Sequence, residues 1–273
     1  MTSRMAMYID SSKCMACRGC QVACKQWNDL EGWEYSHTVN TGSYENPPSL
    51  SPQTWTRIKF VEVPDSGPLG FQWLFLKEGC MHCGDPACVK VCPTRALKKH
   101  PLGIVTFERE LCNGCGYCTQ FCPFGIPKLD IKNLLTGEAK SSKCVFCQDR
   151  TTNGLLPACV KTCPAKALDW GPWEEMVSKA RARVEELKAK GYTAAQVYGD
   201  TQLGGLGRIY VLTNTPEKYG LPTNPQFPLL ATLWQDIVQP LGGLAIAGTA
   251  LALGFNWLVA RRKIKVEQTR EEG

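Results

Sequence analysis

The sequence is poor in the residues on which most enzyme chemistry rests. Only three of its 273 residues are histidine (His37, His82 and His100), and no nucleophile–base pattern stands out around any of them. A nucleophilic catalytic centre is therefore not expected. Long Lys/Arg runs are absent despite a formal net charge of +6, which removes the main electrostatic signature of a nucleic-acid binder. Gly204, Gly205 and Gly207 lack the strand–GxGxxG–helix setting of a dinucleotide site. The first residues, MTSRMAMYID, have no apolar core of the kind a cleavable secretory signal carries. At 44% hydrophobic and 21% charged the composition is that of a folded protein and excludes a disordered tail.

What the chain has instead is sixteen cysteines, all at or before Cys163. Cysteine-rich secreted scaffolds are usually short and signal-bearing, so metal or cluster ligation is the better starting point. The cysteines fall into four groups of four: Cys14-x2-Cys17-x2-Cys20-x3-Cys24, Cys80-x2-Cys83-x4-Cys88-x3-Cys92, Cys112-x2-Cys115-x2-Cys118-x3-Cys122 and Cys144-x2-Cys147-x11-Cys159-x3-Cys163. Pro93, Pro123 and Pro164 follow the last three groups. The third spacing is that of bacterial ferredoxins with two [4Fe–4S] clusters. Two x2 gaps let a tight loop wrap three corners of a cubane. The x3 step carries the fourth cysteine one turn on, toward the neighbouring cluster. Zinc uses paired Cys-x2-Cys ligands but does not explain a repeated third and fourth cysteine with Cys-Pro, so a zinc-stabilised interaction module is the weaker alternative. Disulfides do not suit repeated x2 spacing.

The exchange rule assigns Cys80, Cys83, Cys88 and Cys122 to one cluster and Cys92, Cys112, Cys115 and Cys118 to the next. By elimination the outer groups pair across the chain. Cys14, Cys17, Cys20 and Cys163 hold a third cluster, and Cys24, Cys144, Cys147 and Cys159 a fourth. The expected fold is α+β: two nested two-cluster ferredoxin units, the inner (77–130) inside the outer (1–30 with 140–170). An insertion over 31–76 is expected, loop-rich around Gly42, Pro47, Pro48 and Pro52.

Elsewhere, Ile58–Val63, Phe71–Leu76, Ile104–Phe107 and Arg208–Thr213 read as strands. Short helices are expected beside the closely spaced cysteines. Over Trp170–Lys190, the stripe of Trp173, Met176, Val177, Ala180, Val184 and Leu187 predicts a helix. Pro172 and Glu174–Glu175 mark its start and Lys188–Gly191 its end. Residues 171–238 are thus a helix–strand extension and proline-rich connector beyond a 1–170 cluster domain.

Leu241–Ala260 is twenty residues without a charge, long enough at about 1.5 Å per residue to cross a hydrocarbon core of about 30 Å. A transmembrane helix over 239–262 follows, with Trp234 and Trp257 at the interfaces. Arg261, Arg262, Lys263 and Lys265 lie just beyond it, whereas Lys218 is the only nearby basic residue upstream. The positive-inside rule makes 263–273 a cytoplasmic tail and puts the cysteine domain on the periplasmic side. Gly243, Ala247, Ala250 and Gly254 share a helical face, which suits close approach by a helix of another membrane subunit.

These features together resemble a known family. Four cysteine groups with these insertions are similar to the electron-transfer β subunits of molybdenum or tungsten oxidoreductases. The runs CMACRGCQVACKQWN, CPFGIPKLD and KCVFCQDRTTNGLLPACVKTCPAKAL resemble the β subunits of respiratory formate dehydrogenases. The resemblance covers about 1–260, including GRIYVLTNTPEKYGLP and the single C-terminal span. It implies a non-catalytic subunit with four [4Fe–4S] clusters and the same crossed ligation, carrying electrons from a molybdopterin catalytic subunit to a membrane cytochrome b and quinone. It also implies an inner-membrane location and export of the folded protein alongside a signal-bearing catalytic subunit. Nitrate reductase β subunits replace one ligand by Trp, and dimethyl-sulfoxide-reductase-like β subunits usually lack the span. All sixteen positions are Cys here and the span is present. Cys24 is followed by Lys25 rather than Pro, as in the family. A four-cluster subunit serving a hydrogenase or a sulfur-compound oxidoreductase is the nearest competitor.

Charge gives an independent expectation. Residues 1–170 hold 19 basic and 15 acidic side chains. Four oxidised cubanes with their thiolates add about −8, which reverses the sign. Lys13, Arg18, Lys25, Lys90, Arg95, Lys143 and Lys161, within or beside the cysteine groups, are expected to offset that charge and adjust the potentials. His82, between two cysteines, reads as a packing residue or a neighbour of a cluster rather than a ligand.

Overall fold

A computed structural model describes residues 3–32, 44–65, 70–133, 135–227, 233 and 237–271, with backbone alone over 262–271. The features expected at His37, Gly42 and Trp234, and the side chains of Arg262, Lys263 and Lys265, lie outside that description. Residues up to Phe227 form one compact unit, and the C-terminal segment from Pro228 forms a second.

The organising element of the first unit is a four-stranded sheet. Its strands are β1 (Met5–Asp10), β8 (Leu168–Pro172), β9 (Gln196–Tyr198) and β10 (Arg208–Leu212), in the order β8-β1-β10-β9. β1 runs parallel to β10, with Tyr8 opposite Ile209, and antiparallel to β8. Both faces of the sheet are covered. Ala6, Tyr8, Ile209 and Val211 pack on helix α6 (Trp173–Ala189) through Met176, Val177, Ala180, Val184 and Leu187. Met7, Ile9, Tyr210 and Leu212 face the cysteine-bearing core. Each large apolar side chain buried on α6 contributes about 1.5–3 kcal/mol, so α6 is fixed by its stripe. It begins three residues after Trp170, because β8 occupies 168–172 and Pro172 supplies the N-cap.

The expected boundary near residue 170 therefore falls inside a strand. It is a break in composition, and the chain folds across it. Residues 171–227 contribute α6, β9 and β10 to the same unit as the cysteines. They also clamp a cysteine loop. The N–H groups of Gly84 and Asp85 donate to the carbonyls of Gly205 and Leu203, and Gly207 N–H donates to Met81 O at 2.8 Å. The glycines at 204–207 thus allow two backbones to touch.

Three hairpins complete the unit: β2 (Thr56–Pro64) with β3 (Phe71–Gly79), β4 (Leu97–Lys99) with β5 (Val105–Phe107), and β6 (Lys128–Asn133) with β7 (Glu138–Ser142). The helices beside the cysteines are short: α1 (Gly19–Trp27), α2 (Ala87–Lys90), α3 (Tyr117–Gln120), α4 (Gln148–Thr151) and α5 (Ala158–Thr162).

The second unit is helix α7 (Gln239–Glu271). Its Gln239–Arg261 stretch is 23 residues with a mean hydropathy of 1.6 and is exposed throughout, about 35 Å of apolar helix. Its one hydroxyl, Thr249 Oγ1, donates to Ala245 O at 2.8 Å and needs no outside partner. At the basic end the Arg261 guanidinium lies 5.1 Å from the Trp257 ring centroid.

A Cβ added at Gly207 would stand 2.7 Å from His82 Cβ, whereas one at Gly254 meets nothing within 4 Å. Gly207→Ala is expected to cost about 1–3 kcal/mol through overpacking, and Gly254→Ala far less. Thermal unfolding of the two iron-loaded variants under anaerobic conditions measures the difference.

Candidate metal centres

The cysteine loops are built on backbone that turns the wrong way for ordinary residues. Ala16 and Arg18 in the first group have φ of 53° and 61°, and Gly114 and Gly116 at the matching places in the third have 75° and 79°. A left-handed non-glycine residue costs about 1–2 kcal/mol and persists only where its surroundings dictate it. Here the loop must wrap inward so that each sulfur points to a common centre. Phe146 and Cys147 do the same in the fourth group, with φ of 54° and 48°.

The short helices then carry cysteines one turn apart. Cys20 and Cys24 both lie on α1, and Cys159 on α5 precedes Cys163 by one turn. α1 packs on α5, and α2 packs on α3. Each helix pair therefore presents sulfurs to two centres, and this brings together residues more than a hundred positions apart.

The structure brings the cysteines together as follows. Cys14, Cys17, Cys20 and Cys163 line one cavity of about 450 Å³, mouth included. Cys80, Cys83, Cys88 and Cys122 line another of about 350 Å³, and Cys24, Cys144, Cys147 and Cys159 a third of about 310 Å³. In the fourth set, Cys112 and Cys115 lie close enough to Cys118 to act on its pKa, and Cys92 packs against the apolar cluster that contains Cys118. Among the described residues no three His, Cys, Asp or Glu side chains converge closely enough to hold a single metal ion. Three of the cysteine sets line cavities.

Unpartnered buried donors line two of these cavities. His82 is 1% exposed and stacks on Phe146 with ring centroids 3.8 Å apart. Its Nδ1 accepts from Val105 N–H at 3.0 Å. Burial, reinforced by Lys143 and Arg208, holds its pKa well below the usual range, so the ring is neutral with its proton on Nε2. That Nε2–H has no protein partner, and His82 lines the Cys80–Cys83–Cys88–Cys122 cavity. Arg208 Nε is likewise unpartnered on the Cys24–Cys144–Cys147–Cys159 cavity. A cofactor rich in sulfur acceptors fits both. Backbone donors already point at ligand sulfurs, as with Phe146 N–H to Cys144 Sγ and Ser141 N–H to Cys112 Sγ, both at 3.4 Å.

Burial pushes the free thiols upward, Cys20 to about 11 and Cys88 and Cys147 to about 12. Loading therefore displaces protons, and the buried thiolates then require positive neighbours. The structure corrects which cations serve. Lys90, singled out from the sequence, is 45% exposed and pairs with Asp85 at 2.7 Å. Lys143, Lys77 and Arg208 are the most deeply buried cations among the described residues, at 1%, 2% and 0% exposure. Lys143 Nζ donates to Val105 O at 2.7 Å and Cys144 O at 3.0 Å. Sequence reasoning missed Lys77 and Arg208 because neither lies in a cysteine group. The only trace is Lys77 standing three residues before Cys80.

The contacts link the sets in order. Cys20 feels Cys159, the His82–Phe146 stack joins the second cavity to the third, and Cys88 feels Cys118. The outermost sets each have one exposed cysteine, Cys17 and Cys115.

Fold and site together define a multi-cluster iron–sulfur protein of ferredoxin type carrying four [4Fe–4S] clusters. Residues 71–172 match the family model described as a 4Fe-4S dicluster domain, and residues 228–271 match one described as Formate dehydrogenase N, transmembrane. The chain is 40% identical over 274 residues, 99% of its length and 90% of the relative's, to the nitrate-inducible formate dehydrogenase iron-sulfur subunit of Escherichia coli (strain K12). It is 42% identical over 252 residues, 91% of its length and 78% of the relative's, to the formate dehydrogenase iron-sulfur subunit of Haemophilus influenzae. It is 31% identical over 279 residues, 88% of its length and 82% of the relative's, to the hydrogenase-2 operon protein HybA of Escherichia coli O157:H7. The chain belongs to the family of formate dehydrogenase iron–sulfur subunits.

Lys143→Met is expected to destabilise the protein by about 1–3 kcal/mol, because it strips the partner from two buried carbonyls. Lys90→Gln is expected to have almost no effect, as its ion pair is exposed. Chemical denaturation of the two loaded variants checks the contrast.

Proposed function

We propose that this chain is the electron-transfer subunit of a membrane-bound formate dehydrogenase, relaying electrons from a formate-oxidising molybdopterin subunit to a membrane cytochrome b and quinone. The observation that carries the reading is the run of four cysteine sets in contact, with an exposed cysteine at each end. A chain of that form can accept electrons at one surface and release them at another. The clusters would supply one-electron chemistry, and the protein's part is to hold, space and insulate them. The names of its relatives supply the substrate.

Cys14, Cys17, Cys20 and Cys163 are proposed to hold one cluster, Cys24, Cys144, Cys147 and Cys159 the next, Cys80, Cys83, Cys88 and Cys122 the third, and Cys92, Cys112, Cys115 and Cys118 the fourth. The cavity linings support the first three sets directly. Helix α7 is proposed to cross the inner membrane once, with lipid and a membrane subunit around it. The basic residues after Ala260 support a cytoplasmic C-terminus and a periplasmic cluster domain. A hydrogenase partner is the second reading, favoured only by the likeness to the hydrogenase-2 operon protein.

Purification of the complex is expected to yield a large subunit with formate-dependent dye reduction, and hydrogen-dependent reduction in its place would move the assignment to the second reading. Crossed ligation has its own test. Cys17→Ser and Cys24→Ser, although in one sequence group, are expected to abolish different EPR signals, each lowering iron from about sixteen toward about twelve per chain. Loss of the same signal in both would mean uncrossed ligation. Protease added to intact spheroplasts should degrade the cluster domain, and protection would place it on the cytoplasmic side.

A further inference from the structure

The outer unit contains a charge that belongs to two centres at once. Lys77 lines both the Cys14–Cys17–Cys20–Cys163 cavity and the Cys24–Cys144–Cys147–Cys159 cavity. It is 2% exposed, and Nζ donates to Thr56 Oγ1 at 2.6 Å. Among the described residues no carboxylate pairs with it. Its position is fixed from behind: the Lys77 carbonyl accepts from Tyr210 Oη at 2.9 Å and from Arg208 Nη1 at 3.2 Å. Arg208, equally buried and without a carboxylate among the described residues, reaches toward Cys144 Sγ at 4.0 Å. An ammonium so placed would ordinarily lose its proton or draw in a counter-ion. Among the described residues, the anionic groups that act on it are the sulfurs of Cys159, Cys20 and Cys24. Burial pulls the Lys77 pKa down, and once Cys159, Cys20 and Cys24 are anionic they more than reverse that.

We propose that Lys77 is a shared potential-setting residue, its buried ammonium favouring the reduced state of both outer-unit clusters together. The inference rests on the four-cluster reading above. Each cluster gains one negative charge on reduction, and a fixed cation between them stabilises that charge in both. One cation shared in this way moves two neighbouring potentials in the same direction. Arg208 is the positioning residue, holding the Lys77 backbone from the β10 side.

The test is a dye-mediated redox titration of the complete complex followed by EPR, comparing wild type with Lys77→Met and Lys77→Arg, with iron and acid-labile sulfide measured on the same samples. In a fully loaded Lys77→Met, two of the four midpoint potentials are expected to fall. Each fall should correspond to about a tenfold change in the reduction equilibrium, about 59 mV for a one-electron couple. The other two should hold, and Lys77→Arg should stay near wild type. Four unmoved potentials, a shift confined to one cluster, or equal shifts in the Met and Arg variants would overturn the proposal, the last because it marks packing rather than charge. If Lys77→Met loads incompletely, Lys77→Gln takes its place with the same outcomes. Wild-type protein without iron would instead overturn the four-cluster reading itself.

Discussion

Buried anionic sulfur is the constraint on which the rest of this structure depends. Thiols that burial alone would keep protonated must become cluster ligands, and their charge must be answered inside the protein. The answers come from every part of the chain: left-handed loops that aim N–H groups and sulfurs at common centres, a neutral histidine with a spare donor, and the buried cations Lys77, Lys143 and Arg208. None of these is stable as a local feature. A buried lysine without a carboxylate is costly, and so is a left-handed alanine. Each makes sense only around an anionic group, so folding and cluster loading are tied together.

The same constraint bears on how the short helices are paired. A short helix can offer sulfurs one turn apart, and two such helices in contact surround two centres. In α1 and α5 this closes a loop of about 140 residues, inside which the other helix pair sits. The sheet of β8, β1, β10 and β9 fastens the ends, since β1 precedes the first cysteine group, β8 follows the last, and β10 comes from beyond the cysteines altogether. The 203–207 backbone reaches back to brace the loop of the second group. The C-terminal extension is therefore part of the cluster-holding apparatus.

Much of this was legible in the sequence. The four cysteine groups, the α6 stripe, the strands β2 and β3 and the apolar span all follow periodicities or spacings that local chemistry imposes. The missed elements share a physical cause. β1, MAMYID, is covered on both faces, so it lacks the alternation that marks a half-exposed strand. The β6–β7 hairpin is polar in sequence, KLDIKN and EAKSS, with little apolar patterning to betray it. Lys90 was overvalued because adjacency in sequence to a cysteine is not adjacency to its sulfur, and Asp85 already answers it.

By itself, then, the sequence determined what is bound, because ligand type and spacing are local. Only the tertiary structure decided which charges act on the clusters and which parts of the chain share a core. Burial is a property of the folded whole: Lys77 and Arg208, 131 positions apart, become neighbours only when β3 and β10 meet behind the outer cavities.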